Sequence, residues 1–310
     1  MAMMVTILIS ANQNSNSPNA LTAMRLMVPM LIGMTERGPD SAGLAVFADP
    51  LAEGSRKLSL YSGLTDDGAD FNWHGLTHAL KEHLDVDAHI DVKHNHAVLS
   101  FAVSPELVKR WLRENHPKLH ILSTGRTIDL YKDIGTPAQV AQRYDFTKLV
   151  GSHLVGHTRM ATESAVTPDR AHPFTAGEDF CLVHNGSLSN PNGVRRMLEP
   201  RGIQFETDND TEVAAGYLTW RLQQGDSLKE ALDKSLEDLD GFFTFAIGTR
   251  NGFAVIRDPI ACKPAILAET DDYVAMASEY QALSSLPGIE NARIWEPAPA
   301  TLYIWERQSA

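Results

Sequence analysis

Gly156-His157-Thr158-Arg159-Met160-Ala161-Thr162, His184-Asn185-Gly186-Ser187-Leu188 and Asp210-Thr211-Glu212 decide how this chain is read. Each segment supplies a different part of one site. Arg159 offers a planar fork that matches a carboxylate through two parallel hydrogen bonds. Asp210 offers a negative charge for an ammonium. Asn185 and Gly186 offer N–H donors of the kind that stabilise an oxyanion. Partners for a carboxylate and an ammonium together suit a free amino acid. An attacking group is what the three segments lack, and the chain opens Met1-Ala2-Met3-Met4-Val5.

Working outward, the texture around these segments is that of short apolar strands separated by turns. Cys181-Leu182-Val183 runs into His184-Asn185-Gly186, Thr211 to Leu222 has helical spacing, and Phe242 to Ile247 with Phe253 to Ile256 reads as an antiparallel pair around Thr249-Arg250-Asn251-Gly252. Tyr273 to Ala277 and Thr301 to Trp305 add strands. Upstream, Leu21 to Met34 is an amphipathic helix, broken by Arg37-Gly38-Pro39-Asp40-Ser41-Ala42-Gly43, after which Leu44 to Phe47 is a buried strand. Residues 50 to 150 read as an inserted α+β subdomain. Within it His74 to Leu84 is helical, Ala97 to Val103 a strand, Pro105 to Glu114 a helix opened by Ser104, and Thr136-Pro137 a helix start. Leu119 to Leu122 and Thr127 to Tyr131 flank Ser123-Thr124-Gly125-Arg126 as a hairpin turn would. Strands pairing in hairpins, with helices in separate runs, indicate antiparallel sheets covered by helices.

The bulk properties narrow the function by exclusion. A formal charge of -12 disfavours nucleic acid or an anionic membrane surface as the main partner. Two cysteines, Cys181 and Cys262, make no disulfide framework and fit a reducing, cytoplasmic compartment. Val5 to Ala11 resembles the apolar core of a signal peptide but has no basic segment ahead of it. No apolar run approaches the roughly 20 residues of a membrane helix. Cys181 alternates with Val183 on an apolar strand and reads as core, and Cys262 reads as a loop residue. His74 and His78, one helical turn apart, have no third ligand in pattern, so no metal is expected.

Six landmarks in order now carry a resemblance. Arg37 to Gly43 resembles RGxDSAG, His157 to Thr162 resembles HTRWAT with methionine for tryptophan, His184 to Gly186 resembles HNG, and Asp210 to Glu212 resembles DTE. Arg257-Asp258-Pro259 with Lys263-Pro264, and Ala277-Ser278-Glu279, resemble later landmarks. The chain resembles a class II glutamine amidotransferase, a member of the N-terminal-nucleophile hydrolases, over about residues 31 to 50 and 149 to 305. The resemblance implies an α+β fold, a four-layer αββα sandwich formed by residues 1 to 310 as a single domain with the insertion at about 50–150. It implies that Arg159 takes the glutamine carboxylate, Asp210 the ammonium, and Asn185 and Gly186 the oxyanion. Thr162 joins the substrate-binding set, as does Arg37, otherwise read as structural. Orienting the amide in this way can supply up to about 7–11 kcal/mol of barrier lowering in ideal cases.

The family's nucleophile is a cysteine at the mature N-terminus, in the pattern CGIxG, whose own α-amino group serves as base. Family spacing places it near Ile7 to Asn12, where no cysteine stands. Three explanations remain open: a miscalled start, trimming to expose Thr6 or Ser10, or a relative that binds glutamine or glutamate without hydrolysis. The polar stretch 12 to 19, where a strand-loop-helix entry is expected, points to the first. The resemblance then implies a glutaminase subunit that hydrolyses glutamine to glutamate and passes ammonia to partner subunits, with a non-catalytic glutamine- or glutamate-binding subunit as the alternative. The sequence stops soon after Trp305, and no nucleotide-binding or iron–sulfur motif is present, so acceptor chemistry is expected on other chains. Thr35 to Gly43, Ile260 to Pro264 and the long insertion resemble the stand-alone subunit of glutamate-synthase-like complexes, including N-methylglutamate synthase. That resemblance implies an FMN-binding partner and a partner like the glutamate synthase β-helix domain, with no cofactor in this chain.

Overall fold

The computed structural model describes residues 2–9, 19–63, 71–160, 167–175 and 177–307. Its organising element is β1 (Ala2–Ile9), which is apolar on both faces. Successive strand residues point to opposite sides. Met3, Val5 and Ile7 therefore meet helix α1 (Asn19–Gly33), while Met4 and Leu8 enter a second core on the other side. A strand buried on both faces shows a continuous apolar run rather than alternation, which is why this segment imitates a signal sequence.

Among the described residues β1 lies inside a seven-stranded antiparallel sheet. It sits between β8 (His153–Arg159) and β13 (Tyr273–Ala277). Beyond β8 come β2 (Ser41–Phe47) and β7 (Ile128–Ile134), and beyond β13 come β12 (Ile266–Glu269) and β14 (Arg293–Trp295). The second sheet runs β15 (Leu302–Glu306), β11 (Gly252–Arg257), β10 (Gly241–Thr249), β9 (Phe180–Leu188). Cys181 and Val183 of β9 face Met4, Ala45, Phe47 and Val155 across the gap between the sheets. Burial pushes the Cys181 thiol up to about 12, so it is an inert core residue. On the far side of β9, Leu182 and Leu188 pack on α5 (Pro191–Leu198), α6 (Asp210–Gln223) and α7 (Leu228–Asp238). Helices α4 (Pro137–Arg143) and α8 (Tyr280–Leu283) join α1 on the opposite outer face. The result is the four-layer αββα order.

A third sheet, β4 (Ala88–Lys93), β5 (His96–Phe101), β3 (Arg56–Tyr61), β6 (His120–Gly125), falls within residues 56–125. Helices α2 (Trp73–Leu84) and α3 (Pro105–Asn115) cover it through Trp73, Leu76, Leu80, Val108 and Leu112. The expected hairpin at Ser123 to Arg126 does not form. β6 pairs with β3 and β7 with β2, in different sheets. The buried Asp179 carboxylate turns the chain between them, accepting from Arg126 N at 2.8 Å, Thr127 N at 2.7 Å and Thr127 Oγ1 at 2.8 Å. A long-range acceptor replaces the local turn that Gly125 suggested.

Candidate active site

The site segments converge at one end of the two-sheet sandwich. Arg159 closes β8, with Ser41 of β2 and Ala2 of β1 as its register partners. Gly38 packs against it so closely that a Cβ there would sit 2.7 Å from Arg159 N, and Asp40 N donates to Arg159 O at 3.0 Å. The 37–43 segment thereby fixes the arginine's backbone. The Arg159 side chain is half-buried, with Nη1 3.5 Å from Arg170 O. Arg170 in turn lies 3.9 Å from Asp208, beside the start of α6.

Asn185 lies on β9 next to the inward-facing Val183, opposite Thr244 of β10, and is buried with no partner for Nδ2 among the described residues. A buried amide N–H without an acceptor costs on the order of 1–3 kcal/mol, so the fold holds this donor open. Gly186 adopts φ +149, where a Cβ would stand 2.0 Å from Phe242 O; only glycine fits. Asp210 is the first residue of α6 and accepts from Leu188 N at 2.9 Å. Asn209 caps α6, its side chain accepting from Thr211 N at 2.9 Å. Burial alone would raise the Asp210 carboxyl, but hydrogen bonding and charge from His184, with Leu188 and Thr211 N–H, hold it below its ordinary value. Glu212 pins the preceding loop, accepting from Glu206 N at 2.7 Å and Thr207 N at 2.8 Å.

A buried chain unread in the sequence ties these parts together. His157 Nε2 meets His172 Nδ1 at 2.9 Å, His172 Nε2 meets Thr211 Oγ1 at 2.6 Å, and His184 Nδ1 meets Thr211 Oγ1 at 3.1 Å. His172 is held by its neighbours: buried Lys132 donates to Ala171 O at 2.9 Å and stacks over Phe174 at 4.7 Å. A Cβ on Gly43 would fall 2.0 Å from His172 O, which explains the last glycine of the 37–43 segment. The only sequence signal for His172 was a histidine before proline shortly after the arginine segment.

Arg37 lies in an ion pair with Glu279 at 2.6 Å, more than half exposed, and Ser278 beside it holds Met4 N at 3.0 Å. Thr162 lies outside the described residues. His78 is exposed beside Glu82 at 3.8 Å, and among the described residues no group of three or more His, Cys, Asp or Glu is arranged for a metal. Nor is any described helix long and apolar enough to cross a membrane. A cleft of about 680 Å³ between α3, β6 and residues 202–207 includes none of Arg159, Asn185, Gly186 and Asp210.

The register sets Ile7 to Ile9, the described part of the expected nucleophile window, away from the Arg159 end of the strand. Ile7 and Leu8 pair with Leu154 and His153, whereas Ala2 pairs with Arg159. At about 3.3 Å per residue, Ile7 stands about 17 Å from the Arg159 end of the strand. Set with its first residue beside Arg159, the CGIxG pattern would run over Ala2-Met3-Met4-Val5-Thr6. β1 and α1 are the strand and the helix of the expected strand-loop-helix entry, and the stretch 10–18 between them lies outside the described residues. Thr6 is mid-strand and fully buried, so trimming to expose it would remove half of the strand; Ser10 lies outside the described residues.

Four histidines set a pH dependence. Burial pushes His96 down to about 3 and His153 down to about 4, and holds His157 and His172 well below the ordinary 6.5. Their folded values lie below the unfolded one, so the unfolded chain takes up protons first and stability is lost as pH falls below about 6.5. Each contributes about 1.4 kcal/mol per pH unit through that window. Asp210 titrates below it and adds nothing there. Tm by calorimetry is expected to be flat above about pH 7 and to fall steeply from pH 6.5 to 5; a constant Tm over that range contradicts the neutral chain.

Comparison with known proteins gives the same direction. The glutamine amidotransferase domain family matches residues 157–285. The glutamine amidotransferase-like protein GlxB of Rhizobium meliloti (strain 1021) is 52% identical over 288 residues, 92% of this chain and 93% of that protein. A putative glutamine amidotransferase of Methanothermobacter thermautotrophicus (strain Delta H) is 31% identical over 90% of this chain and 93% of its own length. Among solved structures, glutamine phosphoribosylpyrophosphate amidotransferase from B. subtilis superimposes with TM-score 0.59 at 19% identity, over 97% of this chain and 46% of that one. The chain thus spans about half of that enzyme, and the likeness concerns the fold.

Proposed function

This chain belongs to the class II glutamine amidotransferase family, and we propose that its site holds free glutamine without hydrolysing it, as a binding subunit of a multi-chain amidotransferase. What supports this reading is the register of β1: Ala2 and Met3 pair with Arg159 and Thr158, and an attacking residue set beside the proposed carboxylate fork would have to come from there. Neither can act as a nucleophile. The ligand-holding groups are kept: Arg159 for the carboxylate, Asp210 for the ammonium, and the open Asn185 Nδ2 with Gly186 N–H for the amide oxygen. The same open donor favours the second reading, a working glutaminase that passes ammonia to its partners, and that reading depends on a nucleophile being supplied.

Acceptor chemistry is assigned to partner chains, one FMN-binding and one like glutamate synthase, as in N-methylglutamate synthase complexes; the support is the resemblance of residues 35–43 and 260–264. Thr162 and Arg37 remain proposed contributors to the glutamine site. The test is exposure of the natively purified protein to a glutamine-like alkylating analogue, followed by intact mass and N-terminal sequencing. Unchanged mass with Met1 or Ala2 first is expected. One covalent adduct on a cysteine-first chain would establish the glutaminase reading instead.

A further inference from the structure

Two buried imidazoles share one hydroxyl, and a third is bonded to one of them. Thr211 Oγ1 lies 2.6 Å from His172 Nε2 and 3.1 Å from His184 Nδ1. A hydroxyl carries a single proton, so it donates to one ring and accepts from the other. That constraint gives the whole chain a direction. His172 Nδ1 is 2.9 Å from His157 Nε2, so the order imposed at Thr211 passes on to His157. His157 is opposite Met4 of β1, two residues from the Arg159 pairing, and its Nδ1 is buried with no partner among the described residues. At the other end, Asp210 Oδ1 is 3.7 Å from His184 Nδ1.

The carboxylate decides between the two directions. Negative charge beside His184 Nδ1 favours a proton on that nitrogen. His184 Nδ1–H then donates to Thr211 Oγ1, the hydroxyl donates to His172 Nε2, and His172 Nδ1–H donates to His157 Nε2. The proton of His157 is left on Nδ1, aimed away from the chain. We propose that Thr211 is a positioning residue that orders His184, His172 and His157 into one directional chain under the control of Asp210, so that an ammonium bound at Asp210 releases the tautomer of His157 beside the start of β1. Burial keeps His157 and His172 uncharged, as the chain requires. The ligand half of this proposal rests on the glutamine reading above; the order of the free chain does not.

Long-range ¹H–¹⁵N spectra of protein labelled in its histidine rings read the tautomers directly. In the free protein His157, His172 and His184 are each expected to carry the proton on Nδ1. Thr211→Val, which keeps the shape and removes the hydroxyl, is expected to move His157 to the Nε2–H form, and Thr211→Ser to restore it. Should Thr211→Val fail to fold, Asp210→Asn is expected to produce the same change with Thr211 intact. His157 already in the Nε2–H form, or unmoved by either variant, overturns the ordering. Saturating glutamine is expected to shift His157 in the wild type and not in Thr211→Val. A correctly ordered free protein whose His157 does not shift while calorimetry shows glutamine bound refutes the coupling alone; no binding heat refutes the glutamine reading, and the ordering stands in either case.

Discussion

Arg159→Ala is expected to weaken glutamine binding by roughly thirty-fold to several thousand-fold, the equivalent of about 2–5 kcal/mol for truncating one member of a buried, hydrogen-bonded charge pair. The loss is large because the planar, charged fork is removed whole. Arg170, whose backbone carbonyl lies 3.5 Å from Arg159 Nη1, has its own guanidinium 3.9 Å from Asp208. The Arg159 backbone is fixed by β8, β2 and Asp40, so the substitution removes the side chain while leaving the strand in register. Arg159→Lys keeps the charge and loses the planar match, and an intermediate affinity follows. Calorimetric titration checks both variants; an affinity in Arg159→Ala equal to wild type removes Arg159 from the binding site.

Ala2→Cys, in a chain whose first residue is residue 2, is expected to convert a protein inert to the alkylating analogue into one that takes up a single adduct. Removing the nucleophile from a hydrolase of another family costs about 10⁶ in kcat, so the starting level is that of a bound but unattacked amide. Restoration is expected to be partial. Met3 and Thr6 stand where CGIxG has glycines, and both belong to a strand with no room to relax: Met3 and Thr6 are buried on opposite faces of the central sheet. Intact mass with and without analogue reads the outcome. Absence of any adduct in a folded Ala2→Cys chain would mean that residue 2 is not the position of the missing nucleophile.

Much of the fold was legible because its signals are local. Thr136-Pro137 opens α4 with a full capping box through Gln139, and Ser104-Pro105 opens α3. A short apolar run, Cys181-Leu182-Val183, marked β9, and the pair around Asn251-Gly252 is β10 with β11. What escaped depends on distant partners. β1 looked like a leader because both its faces are buried, a property that only the assembled layers reveal. The turn at 123–126 looked like a hairpin because the sequence cannot show Asp179, more than fifty residues away, as the acceptor that redirects it. In the site, Arg159, Asn185 and Asp210 were read from their motifs, whereas His172, Lys132 and the Thr211 hydroxyl matter through contacts across 39 to 41 positions of sequence.

Binding without turnover is the central claim, and one titration tests it most directly: glutamine injected into the purified protein in a calorimeter, with glutamate in the cell assayed at the end. A saturable one-site heat with glutamate no higher than in a protein-free blank is the predicted result. Stoichiometric or greater release of glutamate, or no binding heat at concentrations that saturate related sites, would contradict it.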